Sequence, residues 1–240
     1  MSNPLHQFEV KPIIPLEWNG VNLSFTNASL FMALSAFLGI CIMWLLVRKQ
    51  KLVPSTAQSI GEYAFGFVKN IAKDGIGDGY DKFIPFIFCT FLMIFFGNFL
   101  GLFPYSFTFT SQLAPVGAFA LLGLLLNIVA GIKTQGLSWF RTFLPSGIPT
   151  FMAPIIVPIE MFSMVVKPFS LTVRLVMNMI VGHILLKTMA GFVYSLGLGG
   201  VVPLLVVGML MLFEMFIAFL QAYVFTLLTS LYIGQAIHSH

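Results

Sequence analysis

Glu160-Met-Phe-Ser-Met-Val-Val-Lys-Pro-Phe-Ser-Leu-Thr-Val-Arg174-Leu-Val-Met-Asn178-Met-Ile-Val-Gly-His183 is the stretch that decides the fold of this 240-residue chain. It is apolar enough to lie in a bilayer, yet it carries Arg174 in its middle. A guanidinium stays protonated at any physiological pH, and holding it at bilayer depth costs about 3 kcal/mol on insertion scales and more in simulations. Such a cost usually marks function. The alternative is a structural arginine whose long stem snorkels to the headgroups.

Outward from this stretch the composition supports the membrane reading. The chain is 58% hydrophobic and 8% charged, with mean hydropathy +0.97, where soluble domains carry about 25% charged residues. The net charge of +4 comes without a basic patch interleaved with aromatics, so nucleic acid is not an expected partner. Cys41 and Cys89 fall inside apolar segments and read as packing residues rather than a disulfide framework. Residues 1–27 contain Pro4, Pro12 and Pro15 and lack a basic start followed by an apolar run, so no secretory signal is expected there.

The expected fold is an all-α membrane protein of about five transmembrane helices plus an interfacial amphipathic helix, in one membrane domain over residues 1–240. The first span is read over 28–47, and Arg48, Lys49 and Lys51 follow it at once. Residues 55–82, with Glu62, Tyr63, Phe65, Phe67, Val68, Lys69, Ile71 and Lys73, read as an amphipathic interfacial helix and loop. Asp74, Asp78 and Asp81 among glycines lack the spacing and closing Glu of a calcium loop and read as solvated. A helical hairpin is expected over 83–132, turning near Pro104-Tyr105-Ser106. Lys133 and Arg141 follow it, while the loops 103–112 and 195–200 have no basic residue. The positive-inside rule then puts residues 1–27 outside and the carboxyl terminus inside after five crossings.

The last two apolar segments, within 151–240, are too long for perpendicular spans. Val201 to Ile237 as one helix is about 55 Å long, beyond the roughly 30 Å hydrocarbon core. Two long, strongly tilted helices in an antiparallel hairpin are expected, with Pro158 as a start and Pro168 as a kink in the first of them.

Polar residues in that helix are ordered. Glu160, Ser163, Lys167, Ser170, Arg174 and Asn178 fall within about 80° of one helical face at 100° per residue. The stripe could be hydrogen-bonding glue between helices, but three charges on it in so charge-poor a chain favour function. In a hairpin turning at Gly197-Leu198-Gly199-Gly200, Arg174 falls level with Gln221, and His183 level with Glu214. A buried Glu and His can exchange protons near neutral pH and suit a proton relay. They could equally be a satisfied structural pair.

These residues resemble subunit a of the F-type ATP synthase, of the alphaproteobacterial and mitochondrial type. The quoted stretch looks like the family's central helix, and Leu220-Gln221-Ala222-Tyr223-Val224-Phe225 like its last-helix motif. Asn98-Phe-Leu-Gly101-Leu-Phe-Pro104 is similar to a motif ending an earlier helix. Pro4-Leu-His-Gln-Phe-Glu-Val-Lys-Pro and Ser24-Phe-Thr-Asn look like the alphaproteobacterial and plant-mitochondrial branch. The likeness covers nearly the whole chain.

The resemblance implies a non-catalytic subunit of the energy-coupling inner membrane, bacterial or mitochondrial, that conducts protons past the c-ring. Peripheral-stalk subunit b, other stator subunits and the lipid bilayer are implied as further partners, with no cofactor or metal. It implies that Arg174 faces the ring carboxylate between two offset half-channels. His183 and Glu214 would serve the outside half-channel, with Asn98, Gln112 and Ser106 hydrating its mouth. Glu160, Ser163 and Lys167 would line the inside one, and Asn178 and Gln221 stand on the same path. Two departures are present. His183 with Glu214 follows the mitochondrial order, which some bacterial relatives exchange, and Val181 stands where alanine is common.

Rival classes fit less well. A secondary transporter could use Arg174 as a substrate clamp, but the two halves of the chain show no internal repeat. A zinc enzyme would want at least three protein ligands, where the membrane segments offer His183 and Glu214. No P-loop is present, so ATP chemistry is expected on other subunits.

Overall fold

A computed structural model describes residues 8–15, 17–18, 21–22, 24–48, 50–103, 106–136, 139, 152–195 and 197–238. Lys49, Pro104, Tyr105, Arg141 and residues 4–7 of the opening motif lie outside them. The order is four short strands, β1 (Pro12–Ile14), β2 (Glu17–Trp18), β3 (Val21–Asn22) and β4 (Phe25–Thr26), then six long helices. These are α1 (Asn27–Val47), α2 (Thr56–Ile76), α3 (Ile84–Gly101), α4 (Leu113–Gln135), α5 (Ala153–Ser195) and α6 (Val201–Ile237).

Five of the six, all but α2, are long and apolar enough to cross a membrane. The fold is therefore the all-α membrane architecture expected. The small strands were not anticipated. β1 pairs with β4 and β2 with β3, both antiparallel, and Asn27 ties the segment down. Its Nδ2 donates to the Glu9 carbonyl at 3.0 Å, and its Oδ1 accepts from the Lys11 backbone N–H at 3.1 Å. Thr26 then caps α1, its hydroxyl oxygen accepting from Ser29 N–H at 3.3 Å.

Helix α6 is the hub, packed on α2, α3, α4 and α5. Polar side chains pin two of these helices to its backbone. Asn98 donates to the Ala218 carbonyl at 3.1 Å and Asn127 to the Tyr232 carbonyl at 3.0 Å. In hydrocarbon, where helices gain little from burying apolar surface against one another, such bonds and close packing set the association. Helices α2 and α6 approach closely, where small residues let the backbones touch. A Cβ on Gly75 would stand 2.7 Å from Ser230 Cβ, and one on Gly234 would strike the Gly75 carbonyl.

Helix α2 buries Val68, Ile71, Ala72 and Ile76 along one face and exposes Tyr63, Lys73 and Asp74 on the other, as its amphipathic pattern requires. It ends at Gly77, φ +76°, whose N–H bonds the Lys73 carbonyl. The membrane ends are sorted by these contacts. The start of α5 and the end of α6 share one side with the end of α2, and Phe8 and the 106–111 segment share the other with His183.

The start of α5 differs from expectation. The helix begins at Ala153, with Pro154 in its first turn where a missing N–H costs nothing. Pro158 and Pro168 both lie inside the helix. Thr172 lends its hydroxyl to the Pro168 carbonyl at 2.9 Å.

Candidate functional site

The seam between α5 and α6 carries the polar side chains. Helix α5 has 43 residues, and Arg174 is its middle one. At 1.5 Å per residue about 32 Å of helix lies on each side, so the charge sits near mid-depth of a centred helix. Arg174 is exposed on this chain, among the exposed apolar residues Phe169, Met177 and Val181. It has no carboxylate partner among the described residues, which include every Asp and Glu of the chain.

Two cavities open along the seam, one on each side of Arg174, and they share no lining residue. The first, ≈70 Å³, lies between α4, α5 and α6 and is lined by Glu160, Lys167, Asn127, Trp139, Tyr232 and Gln235 among others. The Lys167 ammonium stands 5.5 Å from the centre of the Tyr232 ring, within cation–π range.

The second cavity, ≈220 Å³, is lined by Asn178, Val181, Gly182, Leu185, Phe213 and Glu214, with three further apolar residues. Asn178 and Val181 lie within about 40° of Arg174 on the face of α5, so the groove and the arginine share a face. Glu214 is 5% exposed, and neither carboxylate oxygen has a hydrogen-bond partner. Its carboxylate runs against Gly182, where a Cβ would meet Oε1 at 2.5 Å.

Glu214 is thus level with Gly182 and His183, close to the register read from the hairpin. The two titratable groups do not bond each other directly. His183 Nε2 instead faces Thr108 Oγ1 at 3.2 Å, and the Phe8 ring meets the imidazole edge-on with centroids 6.0 Å apart. Gln221, which the same register sets level with Arg174, is buried, and its Nε2 has no partner.

The orphaned atoms are not scattered. Asn98 Oδ1, Thr110 Oγ1, both Glu214 oxygens and Gln221 Nε2 are buried without partners. Asn98 bonds the carbonyl of Ala218, which lies one turn from both Glu214 and Gln221 on the same face of α6. Thr110 packs on Gly97, its Cγ2 3.0 Å from where a Cβ would be. Buried polar atoms are nearly always satisfied, by water if not by protein, so these atoms, on α3, α6 and the 106–111 segment, are positions suited to bind water.

The remaining expected residues take other places. Ser163 is half-buried and Ser170 exposed on α5. Ser106 and Gln112 hold backbone, Ser106 on the Leu100 carbonyl at 2.6 Å and Gln112 on the Phe8 carbonyl at 2.8 Å. Sequence reasoning missed Thr108, Thr110, Asn127, Tyr232, Gln235 and Lys187, the last one turn beyond His183 on α5. Tyr232 and Gln235 were within reach of the hairpin register, which sets the end of α6 beside Glu160 and Lys167. The loop threonines had no periodic signal.

A sequence model of the family described as ATP synthase A chain matches residues 29–234. The ATP synthase subunit a of Rhodospirillum rubrum is 44% identical over 241 residues, covering 100% of both chains. That of Rhizobium leguminosarum bv. trifolii is 43% identical over 99% of this chain and 98% of its own. The subunit a of Maricaulis maris is 42% identical with the same coverages.

Proposed function

The chain belongs to the ATP synthase A chain family, and from that premise we propose that it is the stator half of the proton path, completed by a carboxylate on a partner. As a multi-pass protein of the energy-coupling inner membrane it serves proton transport and ATP synthesis. The finer reading is that the exposed face of α5 and α6 lies against the c-ring, with subunit b and other stator subunits holding it in place. The groove of Asn178 and Glu214, with His183 and Asn98, is the outside half-channel. The cleft of Glu160 and Lys167, flanked by Ser163, is the inside one. Arg174 faces the ring carboxylate between them and keeps it ionised as it passes, and Gln221 hydrates the level of the exchange. The chain performs no ATP chemistry of its own.

The observation that carries this reading is a permanent charge exposed at the middle of α5, without an acid of its own chain, between two cavities that share no residue. An uncompensated guanidinium at that depth needs an acidic partner from outside the chain. The test is Arg174→Ala in the assembled complex in vesicles. ATP-driven acidification is expected to vanish with assembly intact, and passive proton flux to rise once the catalytic head is stripped. Pumping at the wild-type rate would overturn the assignment.

A further inference from the structure

His183 is clamped by two elements that come from far away in the sequence. Thr108, 3% exposed, brings its Oγ1 to 3.2 Å from the ring Nε2. Phe8 covers another edge of the ring, and its own carbonyl is held by the Gln112 amide at 2.8 Å. The threonine has little freedom. Its segment presses on α3 where two glycines leave room, Phe109 and Thr110 against Gly97 and Thr108 against Gly101. Ser111 also donates its hydroxyl to the Thr108 carbonyl at 2.6 Å.

A hydroxyl suits this position because it can both donate and accept. It donates to a bare Nε2 and accepts from a protonated one, so one contact survives while the imidazole gains and loses a proton. A carbonyl would hold only a ring that carries hydrogen on Nε2, and an ammonium only a ring that is bare there. The Glu214 carboxylate lies one residue away along α5, and both its oxygens are unpartnered. With Nε2 occupied by Thr108, the nitrogen left to serve that carboxylate is Nδ1, through an intervening water.

We propose that Thr108 is the positioning residue of His183: its hydroxyl accepts from Nε2–H in both the neutral and the cationic ring, so that Nδ1 takes a proton from water on the outside path and hands it through water toward Glu214, returning the ring to its neutral state. This rests on the half-channel reading of His183 and Glu214 given above. Among the described residues the imidazole is neighboured by Lys187 one turn on along its own helix, Glu214 of α6 against the adjacent Gly182, Thr108 from the 106–111 segment and the uncharged Phe8 ring. Glu9, next to Phe8, has its carboxylate 3.8 Å from Lys11.

The test compares Thr108→Val and Thr108→Ser in the intact complex in inverted vesicles, recording ATP-driven acidification against pH together with the amount of assembled complex. Valine keeps the branched shape against Gly101 and removes the hydroxyl. It is expected to lower pumping about tenfold, less than the roughly 10²–10⁴-fold supplied by a transfer group itself, as suits a residue that only positions one, and to shift the pH profile at unchanged assembly. Serine is expected to restore both. A wild-type profile for Thr108→Val would overturn the proposal, as would a serine variant as impaired as the valine one, which would make the position a packing site. Arg174→Ala measured alongside separates the two readings. If it abolishes pumping while Thr108→Val is normal, only the positioning role falls.

Discussion

Gly182→Ala should disturb the proton path while leaving the fold intact. A Cβ at this position would lie 2.5 Å from Glu214 Oε1, 3.0 Å from its Cδ and 3.4 Å from its Cγ. For ordinary van der Waals contact the carboxylate oxygen must retreat by about 0.9 Å. What has to move is the end of a flexible side chain, at a cost of about 1 kcal/mol if a χ angle leaves its well. Alanine in place of a mid-helix glycine returns about as much. Stability should therefore be nearly unchanged. Proton transfer is far less tolerant, since its partners or a bridging water must stand at about 2.6–3.2 Å, and a misplacement near 1 Å can cost up to about 100-fold. ATP-driven acidification by inverted vesicles, normalised to assembled complex, should fall at least tenfold. Shortening the acid in a Gly182→Ala, Glu214→Asp double variant should recover part of the loss. Wild-type pumping by Gly182→Ala would refute the placement of the carboxylate against α5. Loss of the assembled subunit would refute the claim that only a side-chain end must yield.

Gly234→Ala should do the opposite, because its Cβ would strike the Gly75 carbonyl and stand 2.9 Å from Ile76 Cα. Backbone on both sides cannot swing away, so a cost of about 1–3 kcal/mol is expected, seen as a lower thermal midpoint and lower yield of the purified complex. An unchanged midpoint would count against the close crossing of α2 and α6. Asn98→Leu removes the 3.1 Å bond to Ala218, and interhelical bonds in membranes average about 0.6 kcal/mol. Its thermal midpoint should barely move while its pumping slows, and a stability loss above about 3 kcal/mol would mean that Asn98 is an architectural clamp instead.

The helices were legible because membrane spans announce themselves as long uncharged runs, and α2 because its apolar residues recur with the helical period. The hairpin register was legible for a related reason. Two long helices joined at a glycine turn have few ways to align, and the meeting of Glu214 with Gly182 falls within a residue of the expected level. The short strands before α1 were not visible, since Pro12 and Pro15 dominate a segment whose pairing depends on the distant side chain of Asn27. Thr108 was hidden for the same reason. Its contact with His183 spans 75 residues and belongs to no repeat. The split of the polar stripe also needed the third dimension, because neighbours on α4 and α6 turn Glu160 and Lys167 into a cleft while Arg174 stays exposed.

The choice of arginine at residue 174 follows from what lies on either side of it. Each cavity contains groups able to hold a proton, Glu160 and Lys167 in one and Glu214 in the other. Under the proposed function a residue between them must attract a partner's carboxylate yet never pass a proton along. Lysine meets the first demand and fails the second, because desolvation readily brings its ammonium into the physiological range. A guanidinium keeps its protons there and so acts as an electrostatic partner without becoming a link in the chain. Arg174→Lys should accordingly retain assembly and part of the attraction, yet leak protons once the head is removed. A lysine variant as tight to protons as the native protein would show that separation comes from the packing of Leu175 and Val176, buried on α5 between the two linings, and not from the chemistry of the charge.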